Sequence, residues 1–185
     1  MCFTIPIFCG IIKEKNLILK GNGQMEKNVI LQNMVNWYHK ESFTSNYCFG
    51  YKAKGVVYAA LVNNVSADLL AKLAKLDRAS SKNGGGYSIK YKMNKENWEF
   101  ITAIATDVKV VCSEEYLEEC YRNSRKNRGY LFEEMTANLF GGVLDEKPNT
   151  SFRDGGDFYI NGVPYQAKYM GATYTNETTM HNMGA

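Results

Sequence analysis

The sequence predicts a mixed α/β protein, and three observations predict it. Short runs of β-branched and aromatic residues alternate with stretches whose apolar residues recur at helical spacing. Asn161-Gly162 joins two such runs, the strongest short-range hairpin signal, because both central residues of a type I′ turn need positive φ. The 185 residues are 45% hydrophobic and 22% charged, enough apolar surface to pack one compact domain or two small ones.

Residues 1–24 read as two short apolar strands, 3–8 and 17–19, closed by Gly21-Asn22-Gly23. Met25-Glu26-Lys27 has the look of a natural start, and Lys20-Gly21 would be encoded by purine-rich codons resembling a ribosome-binding site. The expected organisation is a non-native extension over 1–24, a mixed α/β domain over 25–112 and a further region over 113–185.

Val29, Ile30, Met34, Val35 and Trp37 recur at roughly helical spacing and place a helix over residues 26–40. Residues 55–65 form a β-branched run of strand length. Ser66 then N-caps a helix over 67–76 with Leu69, Leu70, Leu73 and Leu76 as its buried stripe. Asn83-Gly-Gly-Gly86 reads as a flexible turn, since neither a P-loop Gly-Lys-Ser/Thr nor a dinucleotide fingerprint follows. Residues 87–92 alternate Tyr and Ile with Ser and Lys like a half-exposed strand, and Lys90 and Lys92 make its edge mildly basic. Asn94 caps a helix to about Ala105 with Trp98, Ile101 and Ala105 on one face, and 107–112 is another strand.

Ser113 caps a helix that opens with Glu114 and Glu115, where the helix dipole favours anions. Beyond its far end, residues 121–130 gather Arg122, Arg125, Lys126 and Arg128 with Tyr121 and Tyr130. That composition suits a phosphate-contacting surface, and a solvated helix end complementing the dipole explains the same charges. Gly129 to Phe140 form the next helix, with Leu131, Phe132, Met135 and Leu139 apolar and Glu133 or Glu134 free to reach its flank. Gly141-Gly142 ends it, Val143-Leu144 is a brief strand, and 148–156 a loop.

The net charge of +3 is mild, so any attraction to a polyanion must come from local clustering. Five cysteines without Cys-x-x-Cys spacing, and two distant histidines, argue against a zinc site or disulfide framework and for reduced thiols in a cytoplasmic protein. The apolar opening, residues 1–12, lacks a basic leader and a small-residue cleavage site and is too short to span a bilayer, so neither export nor membrane insertion is expected.

The hairpin carries the chemistry. Its turn pairs Ile160 with Val163, Tyr159 with Pro164 and Phe158 with Tyr165, and places Asp157 opposite Gln166. Alternation then turns Asp157, Gln166 and Lys168 to one face, and Phe158, Ile160, Val163, Tyr165, Ala167 and Tyr169 to a core face. Asp154 could replace Asp157 if the preceding loop folds differently.

A helix carrying Gly129-x-x-Phe132-Glu133, a short strand, and a hairpin carrying Asp157 and Gln166-Ala167-Lys168 resemble, in that order, the PD-(D/E)XK nuclease superfamily. The resemblance covers about residues 128–169 and implies a partial restriction-endonuclease-like core after an N-terminal mixed α/β unit. It implies a metal-dependent endonuclease acting on DNA, with RNA second. Mg²⁺ or Mn²⁺ would be held by Glu133, Asp157 and Gln166, and Lys168 would position water or stabilise developing negative charge. The family's core continues with a helix and a strand after the lysine strand, whereas only residues 170–185 remain here. A shortened gene, completion by a second subunit as a homodimer, use of an N-terminal strand, and binding without cleavage each account for that. The rival reading is a non-catalytic nucleic-acid-binding or inhibitory protein. Small mobile-element proteins, including inhibitors of CRISPR nucleases, are similar in size and patchwork character, which would make a bacterial nuclease or CRISPR effector the partner. A third is a module that binds protein through its aromatic surface.

Overall fold

The protein is of the mixed α/β class, and the computed structural model describes residues 23–41, 44–79, 86–145, 156–170 and 173–176. The strands expected at 3–8 and 17–19, most of the Asn83 loop and the Asp154 alternative lie outside the described residues. In chain order the elements are α1 (Gly23–Glu41), β1 (Tyr47–Ala53), β2 (Val56–Val62), α2 (Ala67–Leu73), β3 (Ala74–Ala79), β4 (Gly86–Tyr91) and α3 (Lys95–Ile104). These are followed by β5 (Asp107–Ser113), α4 (Glu114–Asn123), α5 (Arg128–Leu139), β6 (Val143–Leu144), β7 (Phe158–Ile160), β8 (Val163–Lys168) and β9 (Thr173–Asn176).

Six strands form one sheet in the order β5-β2-β1-β8-β7-β6, and β3, β4 and β9 form a second. Every registered neighbour is antiparallel except β1 and β8, which run parallel with Tyr47, Cys48 and Phe49 beside Gln166, Ala167 and Lys168. Residues 25–112 and 113–185 therefore do not keep separate sheets: β8 inserts beside β1, and β9 pairs with β4. The reason is the edge of β8. Its backbone groups on the side away from β7 need partners, and β1 supplies them. Just upstream of β1, Asn46 O accepts from Gln166 N at 2.9 Å and the Thr44 hydroxyl donates to Pro164 O at 2.9 Å, which extends the same seam.

Two further elements differ from expectation. β1 turns back into β2 through Lys54-Gly55, whose φ of 50° and 75° suit a two-residue hairpin loop. The helix expected over 67–76 stops at Leu73, where Ala74 turns extended, and Leu76 pairs with Ile89 across β3 and β4. Six paired residues along β4 outweigh the good helical propensity of Ala74, Lys75 and Leu76, because tertiary pairing overrides a preference of a few tenths of a kcal/mol per residue. The caps at Ser66, Asn94 and Ser113 form as expected, each side chain accepting a backbone N–H three residues on.

Alternation along the sheet divides the core in two. On one face Tyr47, Phe49, Ala60 and Val62 pack with Met34, Val35 and Tyr38 of α1, with α2 and with Ile89 and Tyr91 of the second sheet. On the other, Cys48, Val57, Ala59 and Leu61 pack with Phe158, Tyr165 and Ala167, under Leu117 of α4 and Leu131 and Phe132 of α5. The buried stripe of α1 runs Ile30, Leu31, Met34, Val35 and Tyr38, leaving Val29 exposed. Phe132 and Tyr169 stack 5.2 Å apart over Gly50, where an added Cβ would lie 2.7 Å from one ring and 2.8 Å from the other. Only a residue without Cβ lets α5 settle this closely on β1.

Candidate functional site

The hairpin forms in the register its turn chemistry dictates, with Ile160 opposite Val163, Tyr159 opposite Pro164 and Phe158 opposite Tyr165. Asn161 and Gly162 take φ of 51° and 79°. Phe158, Tyr165, Ala167 and Tyr169 face the core as expected, while Val163 stays exposed beside the turn.

Asp157 lies just before β7. Its backbone N–H donates to Tyr165 O at 2.8 Å, and its Oδ2 accepts from Ala167 N at 2.7 Å, the bond a backbone carbonyl would otherwise take. A carboxylate thus closes the β7–β8 ladder. Such charge-assisted bonds contribute on the order of 1.5–3 kcal/mol, so the position of Asp157 is held by the fold itself. Beyond it β8 continues against β1 alone, and groups from the two faces of the sheet can meet.

Lys168 arrives on β8 with only 4% of its side chain exposed. A buried ammonium needs acceptors, and it has them. Nζ donates to Gln166 Oε1 at 3.0 Å, stands 3.8 Å from Asp157 Oδ2, and sits 5.0 Å from the ring centroid of Tyr38. The Tyr38 hydroxyl donates to the same Gln166 Oε1 at 3.3 Å.

Glu133 joins from α5, half-buried. Burial first, then the negative charge of Asp157, push its carboxyl up to about 8 from an ordinary 4.5, with Lys168 pulling the other way. The Asp157 carboxylate and the Lys168 ammonium therefore lie close enough to act on the Glu133 carboxyl. Beneath them the buried Thr136 hydroxyl donates to Phe132 O at 2.6 Å and Glu133 O at 3.0 Å, tying off the helix carbonyls at that turn. The Cys48 thiol, packed beside Thr136, is pushed up by burial, with Asp157 adding to the shift, and stays a neutral thiol. Glu134, the alternative to Glu133, points elsewhere and pairs with Lys126 at 2.8 Å.

Of the predicted site residues, the structure brings together Glu133, Asp157, Gln166 and Lys168, contributed by a helix and both sides of a hairpin. Sequence reasoning missed Tyr38, which sits 128 residues from Gln166 and shows in the sequence only as one more apolar position of an amphipathic helix.

The four cations of 121–130 are arranged differently from an open basic tract. Arg128 makes a two-pronged bond to Glu118, 2.8 Å on each arm, with its guanidinium 3.7 Å over the Tyr121 ring. That pairing holds Arg128 high and Glu118 low in pKa. Lys126 is paired with Glu134 and lies 4.9 Å over Tyr130. Arg122 donates to the backbone O of Glu118 at 3.4 Å and acts on the Glu118 carboxylate less than Arg128 does, and Arg125 is exposed.

Do the residues fit a divalent cation? Among the described residues no three His, Cys, Asp or Glu side chains gather as a metal-holding group. Mg²⁺ is commonly held by one or two carboxylates, with water and substrate phosphate completing its shell. Glu133 and Asp157, whose charges oppose each other, match that sparse donor set. Gln166 Oε1 already accepts from two donors, so a cation there would compete with Lys168 and Tyr38.

Comparison with protein-family models, with curated proteins and with solved structures finds no match. Among the described residues no helix is long and apolar enough to cross a membrane.

Proposed function

We propose that this chain is a metal-dependent phosphodiesterase of the PD-(D/E)XK kind, cutting DNA and, as the second choice, RNA. One observation carries the reading. Asp157, Gln166 and Lys168 gather on the hairpin where the β7–β8 ladder ends, and the Glu133 carboxyl on the preceding helix feels the charges of Asp157 and Lys168. The arrangement of the sheet supports it. In that family a helix and a strand follow the lysine strand. Here β1, which follows α1, runs parallel to β8, which suits the reading that an N-terminal strand fills the sheet.

In this reading Glu133 and Asp157 hold Mg²⁺ or Mn²⁺, which when bound neutralises phosphoryl charge and activates water. Lys168 offers its ammonium to the negative charge that develops on the phosphoryl oxygens, and Gln166 fixes its direction. The exposed charges of Arg122 and Arg125 would steer the substrate backbone. The free thiols Cys48, Cys112 and Cys120 suit a reducing, cytoplasmic setting.

The test is nicking of supercoiled plasmid, and cleavage of labelled RNA, with Mg²⁺ or Mn²⁺. The parent should cut, Lys168→Ala should lose about a hundredfold or more, and Asp157→Asn should be inert. An inactive parent, or a fully active Lys168→Ala, overturns the reading.

A second reading has one observation in its favour: Lys168 is 4% exposed and already satisfied by Gln166, which suits a site retained for structure. The chain would then bind without cutting, as an inhibitor from a mobile element directed at a bacterial nuclease such as a CRISPR effector. Binding and inhibition of such an effector, undiminished in Lys168→Ala, would support it.

A further inference from the structure

The helix that precedes the whole sheet in sequence reaches the site through one residue. Tyr38 is 3% exposed, on the final turns of α1. Its neighbour His39 donates from Nε2 to Val65 O at 2.7 Å and stacks 6.2 Å from Tyr47, which pins this end of the helix to the β1 side. The Tyr38 ring also packs 6.5 Å from Tyr91 of β4.

The geometry around Gln166 determines what Tyr38 does. An ammonium only donates, so the amide turns Oε1 toward Lys168 Nζ, 3.0 Å away. Tyr38 approaches that same oxygen at 3.3 Å, so its hydroxyl must donate to it. Its ring face meanwhile lies 5.0 Å from Nζ, within the range of a cation–π contact. One side chain therefore braces both members of the pair: the hydroxyl holds the amide, and the ring holds the ammonium. Burial, and after it the charge of Asp157, push the phenol well above its ordinary range, so it remains a neutral donor.

We propose that Tyr38 is a positioning residue that fixes the Lys168 ammonium against Gln166, so that the group offered to the phosphoryl oxygens is placed by α1 as well as by the hairpin. The inference rests on the phosphodiesterase reading for its catalytic consequence, but the placement of Lys168 can be measured without activity. Loss of the hydroxyl in Tyr38→Phe keeps the ring, whereas Tyr38→Leu removes both supports.

The experiment compares the full-length parent, Tyr38→Phe, Tyr38→Leu and Lys168→Ala in steady-state, multiple-turnover plasmid cleavage. In parallel, the exchange of the Lys168 ammonium protons is followed by nitrogen-15 NMR. Tyr38→Phe should cut about five- to tenfold more slowly and Tyr38→Leu about fiftyfold, both with KM within about twofold of the parent. A purely structural role would not separate kcat from KM in that graded way. The Lys168 protons should exchange slowly in the parent and about tenfold faster in Tyr38→Leu, at an unchanged urea midpoint for Tyr38→Phe. If the parent cuts and both Tyr38 variants cut equally well, Tyr38 is dismissed while the phosphodiesterase reading stands. If the parent does not cut, that reading falls, and the exchange rates decide Tyr38: unchanged exchange in both variants overturns its role, and graded acceleration upholds it.

Discussion

Replacing Glu133 by glutamine should flatten the pH dependence of stability, and the structure sets both sign and size. In the folded, metal-free chain the Glu133 carboxyl sits at about 8 against an ordinary 4.5, raised by burial and by Asp157 and partly lowered by Lys168. Between those values the folded state holds a proton that the unfolded chain has released. Stability is then fully present below about pH 4.5 and is lost as pH rises through about 8. At roughly 1.36 kcal/mol per pH unit the interval corresponds to about 5 kcal/mol. That is a ceiling, because a half-buried carboxylate draws water toward itself, and about 2–3 kcal/mol is the expected loss. Glu133→Gln keeps the shape and removes the proton equilibrium. Urea unfolding followed by circular dichroism in EDTA, at pH 5 and pH 8.5, measures the difference. The variant should lie within about 1 kcal/mol of the parent at pH 5 and exceed it by about 2–3 kcal/mol at pH 8.5. Subtracting the two proteins removes the other titrating groups around the site. A parent-to-variant difference that is the same at both pH values would mean that Glu133 is not buried against Asp157, and the convergence of the site would be refuted.

Three further outcomes are expected. Gly50→Ala places a methyl 2.7 Å from the Phe132 ring and 2.8 Å from that of Tyr169. Both rings are buried, so the urea midpoint should report a loss of about 2–3 kcal/mol. At millimolar affinity, 10 mM Mg²⁺ should raise the thermal midpoint of the parent by the equivalent of about 1 kcal/mol and leave Asp157→Asn unmoved, as read by scanning calorimetry. For nucleic acid, the log–log salt slope of binding should fall by about two on neutralising Arg122 and Arg125, and by much less on neutralising Lys126 and Arg128, which Glu134 and Glu118 already occupy.

Much of the site was legible because it is local. Asn161-Gly162 dictates a turn, the turn dictates a register, and the register turns Gln166 and Lys168 away from the face of Tyr165 and Ala167. Ser66, Asn94 and Ser113 mark helix starts for the same kind of reason, each satisfying a backbone N–H within its own turn. The expected place of Asp157 opposite Gln166 came out differently in detail, since its carboxylate replaces a ladder carbonyl rather than projecting from a strand. No periodicity announces that exchange.

What only the tertiary structure decided is whatever depends on contacts far apart in the chain. The free edge of β8 looked like an unfinished core, and β1, more than a hundred residues earlier, covers it in parallel. The strand β1 and its Lys54-Gly55 turn into β2 went unread in the sequence, and nothing there said which strand β1 would meet on its other side. The charges of 121–130 read as a phosphate-contacting surface or a solvated helix end, and folding places Glu118 and Glu134 against two of them. Tyr38, left out of the apolar stripe the sequence suggested for α1, becomes a wall of the site because α1 packs over the β1–β8 seam. Local chemistry therefore determined the hairpin, its turn and the residues it displays, since backbone dihedrals and alternation act over a few residues. Strand partners, ion pairs and the environment of Lys168 were settled by burial, which only the folded chain defines.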